Sequence, residues 1–295
     1  MNKTSASQRP HEGDRDFVES LARGLEVILS FTRESPEMTL KEVAEKTGLS
    51  PATARRSLHT LRKLGYVGMN GKRFLLRAKV LSLGSAFLNS MNIKDVADHF
   101  LQEVHEEFHD AVSLAVLNGN HVLYVSHISS MRDNRFRARI GYSLPIYCTS
   151  LGHVLLAFSD PKAIETYFDT VSFERYTSRT ISSAEELQSA LDFVRRNDHA
   201  AALEQLEYGV LSVAVPVRSP DGDVLAAVNC SGELSRTNLD TMIETRVPAL
   251  RKAADRIAAA LERHPALLHS IQSGNVDSPS GIGADLALGG TIATP

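Results

Sequence analysis

The chain has 295 residues, 43% hydrophobic and 23% charged, which is about two domains of polypeptide with enough apolar material for buried cores and excludes general disorder. Its longest apolar runs, such as VAVPV at 213–217, are too short to span a bilayer, the polar N-terminus offers no signal peptide, and two cysteines exclude a disulfide scaffold and suit a reducing cytoplasm. The net charge of −3 conceals a basic head, with 15 Lys+Arg against 9 Asp+Glu in residues 1–79, and a body carrying −9; this suggests nucleic acid at one end only.

Residues 1–13 are polar and expected to be disordered. From Asp16 to Arg33 the residues Phe17, Leu21, Leu25, Ile28 and Leu29 recur at helical spacing, which predicts an amphipathic helix with that stripe buried. Thr39 with Glu42 three residues on is a capping-box pattern before LKEVAEKT. Gly48-Leu49 breaks the chain. Ser50 as cap and Pro51 at the first helical position then open a third helix, with Ala54, Leu58, Leu61 and Leu64 inward and Gly65 as its stop. Asn70-Gly71 predicts a hairpin carrying Lys72 and Arg73, and a helix from Ala78 to Ser90 leads onward.

Beyond it, IKDVADHFLQEVHEEF reads as a helix, VSLAVL and HVLYVSH as strands joined through Asn118-Gly119-Asn120, and RFRARI as another strand. A helix starts at Ser150, others lie near 161–168 and 183–197, VLSVAVPV and VLAAVNCS form a second hairpin, and a long helix runs from Asn238 to Arg263. This order predicts an α+β domain with a mostly antiparallel sheet. The expected organisation is a tail at 1–13, a winged helix-turn-helix at 14–77, a linker helix at 78–91, a ligand domain at 92–264 and a disordered, Gly/Ser/Ala-rich tail at 265–295.

Three helices and a basic hairpin in this order make a winged helix-turn-helix for double-stranded DNA. The third helix would enter a major groove with Pro51, Ala52, Thr53, Arg55, Arg56, His59, Arg62 and Lys63 outward. Thr53, Arg55, Arg56 and His59 are candidates for base or adjacent phosphate contacts. Arg62, Lys63, Lys72 and Arg73 are candidates for phosphates, with Thr39 and Ser50 at the helix starts beside them. The alternative is a solvated basic face on a head that binds protein.

FVESLARGLEVILSF, LKEVAEKTGLSPATARRSLHTLRKLGYV and GKRFLL resemble the DNA-binding domain of IclR-family transcriptional regulators. GYSLPIYCTSLGHVLLA and EYGVLSVAVPVRSPDGDVLAAVNCSG resemble the family's GAF-like effector domain. The likeness covers residues 15–262 and is greatest to regulators of aromatic-acid catabolism of the PcaR/PobR type. It implies a ligand-responsive regulator rather than an enzyme. Such a protein binds a near-palindromic operator as a homodimer or dimer of dimers, and contacts RNA polymerase if it activates. No cofactor or membrane partner is implied.

The helix start at Ser150-Leu151-Gly152 offers free amides and a positive dipole end to an anion. The resemblance points to the same amides for a small carboxylic acid, with polar contacts from Ser212, Asn229 and Ser231. Asn229 and Ser231 share a strand face in the alternation, and Cys230 points away; a satisfied polar pair is the plain alternative. Some relatives carry an acidic residue near Leu203; here Glu204 and Glu207 are near that position, and either could face solvent. Arg137 and Arg139 offer positive charge or a solvated strand face. His105, Glu106 and His109 fit H-E-x-x-H, the pattern of a zinc hydrolase, but no third ligand is evident. Cys148 is a candidate nucleophile only with a depressed pKa.

Overall fold

The computed structural model describes residues 16–32, 34–91, 94–129 and 139–273. These form two compact units, one ending at Ser85 and the other starting at Ala86. The expected tail at 1–13, most of RFRARI including Arg137, and the chain after Ser273 lie outside the described residues.

The first unit contains α1 (Glu19–Leu29), β1 (Glu37–Met38), α2 (Leu40–Thr47), α3 (Pro51–Leu64), β2 (Val67–Asn70) and β3 (Arg73–Leu76). Local chemistry sets most of these limits. Thr39 and Glu42 form the reciprocal capping box of α2, and Gly48 ends that helix in the left-handed region at φ 65°. Ser50 caps α3 through the Thr53 amide, Pro51 occupies its first turn, and Gly65 ends it at φ 84°. The three strands pair antiparallel in the order β1-β3-β2. The wing loop is Gly71-Lys72, one residue later than the Asn-Gly pattern suggests, because Asn70 pairs with Arg73 and Gly71 takes the positive φ of 59°.

Two expectations about burial fail in this unit. In α1 it is Val27 and Ile28 that enter the core, whereas Leu21, Leu25 and Leu29 are exposed. Leu64, in the last turn of α3, is exposed as well, while Ala54, Leu58 and Leu61 are buried. Helical periodicity identifies a stripe but not which flank of it meets the neighbouring helix.

The linker region is a 3-10 turn, Ala78–Val80, followed by α4 (Leu81–Met91). The second unit then continues with α5 (His99–Phe108), β4 (Ala111–Asn118), β5 (His121–Ile128), β6 (Ser143–Pro145), α6 (Ser150–Ala157), α7 (Pro161–Thr170) and α8 (Ala184–Asn197). It closes with β7 (Ala200–Leu203), β8 (Val210–Arg218), β9 (Val224–Glu233), α9 (Leu239–Leu261) and α10 (Pro265–Ser273). The six strands are antiparallel in the order β6-β5-β4-β9-β8-β7. One sheet face packs on α5, α9 and α10, and the other on α6, α7 and α8. Residues 265–273 therefore correct the expected disordered tail: Leu267 and Ile271, four apart on α10, are buried against the sheet's core. The described end of RFRARI, Arg139 and Ile140, leads into a turn in which the Tyr142 amide donates to the Arg139 carbonyl.

Candidate DNA and effector sites

On α3, Ala52, Arg55, His59 and Arg62 are exposed and recur on one helical stripe, on the other side of the buried Ala54, Leu58 and Leu61 from the flank that faces α1. Pro51 and Lys63 are exposed too, and Thr53 is half-buried. Thr53 and Arg56 lie on the flank facing α1, where they line a groove with Leu21, Leu25, Leu64 and Leu83. Several expected DNA contacts already have partners. The Thr39 and Ser50 hydroxyls hold the helix caps. Arg73 donates to the Glu37 carbonyl at 2.9 Å and to the Glu42 carboxylate at 3.3 Å, tying the wing to α2. Hydrogen bonds from the Thr39 amide and hydroxyl, then the charge of Arg73, hold the Glu42 carboxyl below its ordinary range. Lys72 at the wing tip is exposed.

The effector candidates meet on the α6 side of the sheet. Thr149 caps α6 through the Gly152 amide, so the cap does not use the amides of Ser150 and Leu151. The Gly152 amide, expected to face an anion, donates to that cap at 3.2 Å, and a Cβ at this position would stand 2.3 Å from the Ile146 carbonyl oxygen. The Leu151 side chain is in the core. Ser150 Oγ lies 2.9 Å from Ser212 Oγ, and Ser212 is the register partner of Ser231. Asn229 Nδ2 donates to Ser231 Oγ at 3.0 Å, so the two residues do form a pair, but Asn229 Oδ1 is buried with no hydrogen-bond partner.

Two further residues belong to this face. Ser113 on β4 stands opposite Asn229 on one side and His127 on the other, and its hydroxyl is 3.0 Å from His127 Nδ1. A bulge between Leu114 and Ala115 resets the alternation, so Tyr124 and His127, three apart on β5, face the same way. Simple alternation would put them on opposite faces, which hides His127 from a sequence reading. Ser113 is a single serine in an apolar strand, a signal that could have been weighed.

Other candidates fall elsewhere. Leu203 packs on the opposite, α9 side. The Glu204 carboxylate accepts from the Gly209 amide at 2.8 Å and meets Arg179 at 3.2 Å, closing the β7–β8 loop. Glu207 is half-buried with partners of its own, and Arg139 is exposed. The H-E-x-x-H reading breaks on geometry. His109 is the left-handed cap after α5, at φ 55°, and His105 Nδ1 is 2.7 Å from the Asp110 carbonyl oxygen. The two rings therefore do not share a helical face. Among the described residues no cluster of His, Cys, Asp or Glu could hold a metal, and no helix is long and apolar enough to cross a membrane. Burial pushes the thiols of Cys148 and Cys230 far above their ordinary value, the opposite of what a nucleophile requires.

Comparison with known proteins bears on both sites. The IclR helix-turn-helix domain matches residues 20–70, and the C-terminal domain of bacterial transcriptional regulator IclR matches residues 85–259. The chain is 35% identical over 243 residues to the Pca regulon regulatory protein of Pseudomonas putida, covering 82% of this chain and 84% of that protein. It is 30% identical over 257 residues to the p-hydroxybenzoate hydroxylase transcriptional activator of Acinetobacter baylyi, covering 84% and 95%. A solved IclR homologue from Microbacterium hydrocarbonoxydans, in complex with 4-hydroxybenzoate, superposes with a TM-score of 0.67 at 25% identity, covering 83% of this chain and 99% of that one.

Proposed function

Since this chain belongs to the IclR family of bacterial transcriptional regulators, we propose that its effector is a small aromatic carboxylic acid and that it controls genes of aromatic catabolism. The observation that carries the effector reading is the start of α6, where two amides outside the cap meet a floor of serines beside an apolar core cluster. The helix dipole and these donors suit a carboxylate, and the apolar surroundings suit a ring. The names of the two relatives and the 4-hydroxybenzoate held by the structural neighbour support the same chemistry.

On this reading α3 enters a major groove, Arg55, His59 and Arg62 face the bases and adjacent phosphates, and Lys63 and Lys72 meet the backbone. One such helix reads few base pairs, so two copies bind a near-palindromic operator. The leucines left exposed along α1, with Leu64 and Leu83, offer a surface for the second head.

A titration of an operator selected from a random duplex pool tests this. Arg55→Ala is expected to weaken binding by about 10- to 100-fold, the loss of one base-reading arginine. Arg56→Ala, on the α1 flank, is expected to cost less. Equal losses would remove the assignment of the outer stripe, and one chain per operator at saturation would remove the dimer. At least one of a panel of small aromatic carboxylic acids, 4-hydroxybenzoate among them, is expected to shift the affinity if the effector reading holds.

A further inference from the structure

The last turn of a helix leaves carbonyl oxygens without an intrahelical donor, and their partners show what the helix end is fastened to. At the end of α3 the Gly65 amide donates to the Arg62 carbonyl at 3.1 Å and the Tyr66 amide to the Leu61 carbonyl at 2.9 Å. The Leu64 carbonyl is met from further along the chain: Lys79 Nζ donates to it at 2.8 Å. The same ammonium stands 5.1 Å from the centre of the Tyr66 ring. One cation therefore serves the negative end of the α3 dipole and an aromatic face together.

Lys79 is the middle residue of the 3-10 turn Ala78–Val80, through which the chain passes into α4. The Arg77 amide before the turn donates to the Tyr66 carbonyl at 2.8 Å, and Val80 packs against the first unit's core. The Ser82 hydroxyl, in the first turn of α4, donates back to the Lys79 carbonyl at 2.7 Å. Leu83 in the same helical turn lines a groove with Thr60, Leu61 and Leu64 of α3. Arg77 and Val80 thus hold the turn to the wing sheet and the core, and Lys79 holds it to α3 itself.

We propose that Lys79 is a positioning residue for operator binding, a clamp that makes the end of α3 and the start of α4 move as one body without itself touching DNA. The assignment rests on the reading of α3 as the helix that enters the groove. Two heads fit one operator only when their recognition helices are held at a fixed spacing, and each head is joined to the rest of its chain through α4. A turn free to swivel would lose part of the binding energy in ordering the heads, and the clamp orders them beforehand. Any reorientation of α4 then turns α3 with it.

Operator titrations of the full chain between about 50 and 200 mM salt test it. Lys79→Met keeps an aliphatic stem and removes the charge and the donor. It is expected to weaken binding about 3- to 10-fold at every salt concentration, with the slope of log affinity against log salt unchanged. Lys72→Ala, at the wing tip, is expected instead to reduce that slope by about one. Lys79→Arg keeps the charge and the donors and is expected to bind within about twofold of the parent. Lys79→Met is expected to unfold within about 3 °C of the parent, as for an exposed side chain. Spin labels at Ala52→Cys and Ser85→Cys read the clamp without DNA, since both positions are exposed and both native cysteines are buried. Their distance distribution is expected to be narrow in the parent and broader in Lys79→Met. A slope reduced by about one in Lys79→Met would make Lys79 a phosphate contact, and early unfolding would make it a prop of the fold; each overturns the assignment. An unchanged affinity, or a distance distribution as narrow as the parent's, overturns it as well. If Arg55→Ala binds the operator as the parent does, the reading of α3 itself fails and the clamp falls with it.

Discussion

Gly152→Ala is expected to destabilise the effector unit and abolish its response to ligand. Alanine normally gains about 1 kcal/mol over glycine inside a helix. Here the added Cβ would lie 2.3 Å from the oxygen and 2.5 Å from the Cα of Ile146, both backbone atoms that cannot swing aside. Helix α6 must move off the segment before it, against a close-packed core in which every residue of that helix is buried. Overpacking of this kind costs about 3 kcal/mol, which corresponds to a fall of roughly 6–12 °C in the melting temperature of a unit this size. The same displacement separates Ser150 from Ser212 and moves the Ser150 and Leu151 amides, so ligand binding should be lost even in the folded fraction. Gly24→Ala is the contrast. Gly24 lies in α1, where an added Cβ would meet nothing within 4 Å, and there alanine should stabilise by up to about 1 kcal/mol. Thermal unfolding of both variants checks the pair, and equal behaviour would contradict the account.

The second large effect lies on the opposite face of the sheet. Asp110 is 2% exposed at the start of β4, and its Oδ2 accepts from both Nε and Nη2 of Arg246, at 3.1 and 3.0 Å. The Arg246 guanidinium also stacks 4.5 Å from the centre of the Phe108 ring. Arg236 is only 3.9 Å from Oδ1 and spends its hydrogen bonds on the Phe108 and His109 carbonyls. Arg246→Met therefore strands a buried carboxylate, at an expected cost of about 3–5 kcal/mol. Replacing both partners, Asp110→Asn with Arg246→Met, should recover most of that loss, because the pair's net contribution is far smaller than the penalty for breaking it. Denaturant unfolding of the three variants measures this; a double variant as unstable as Arg246→Met would contradict it.

What could be read from the sequence follows from how local each signal is. Caps and stops are set within four residues, so Thr39, Glu42, Ser50, Pro51 and Gly65 announce their helices directly. The polar pair Asn229 and Ser231 is legible because β9 alternates regularly through that stretch. Tertiary partners are not local. Leu21 and Leu25 carry the same periodicity as a buried stripe, and only the position of α3 decides that Val27 and Ile28 go inside. The edge strand β7 is Ala-Ala-Ala-Leu, with neither alternation nor β-branching to mark it. His127 is displaced by a bulge, and α10 is hidden by the Gly- and Ser-rich composition around it. His109 satisfies a five-residue zinc pattern yet belongs to a helix end, because the chain turns there into β4.

The most direct test of the whole account couples its two ends. Operator affinity of the full chain should be measured by fluorescence anisotropy with and without saturating 4-hydroxybenzoate, at one fixed salt concentration. A regulator whose effector is a small aromatic carboxylic acid of this kind should show a change of about 5- to 150-fold in either direction, the usual range of coupling between two sites. An operator affinity that no aromatic acid alters, in a chain that still binds DNA, would contradict it.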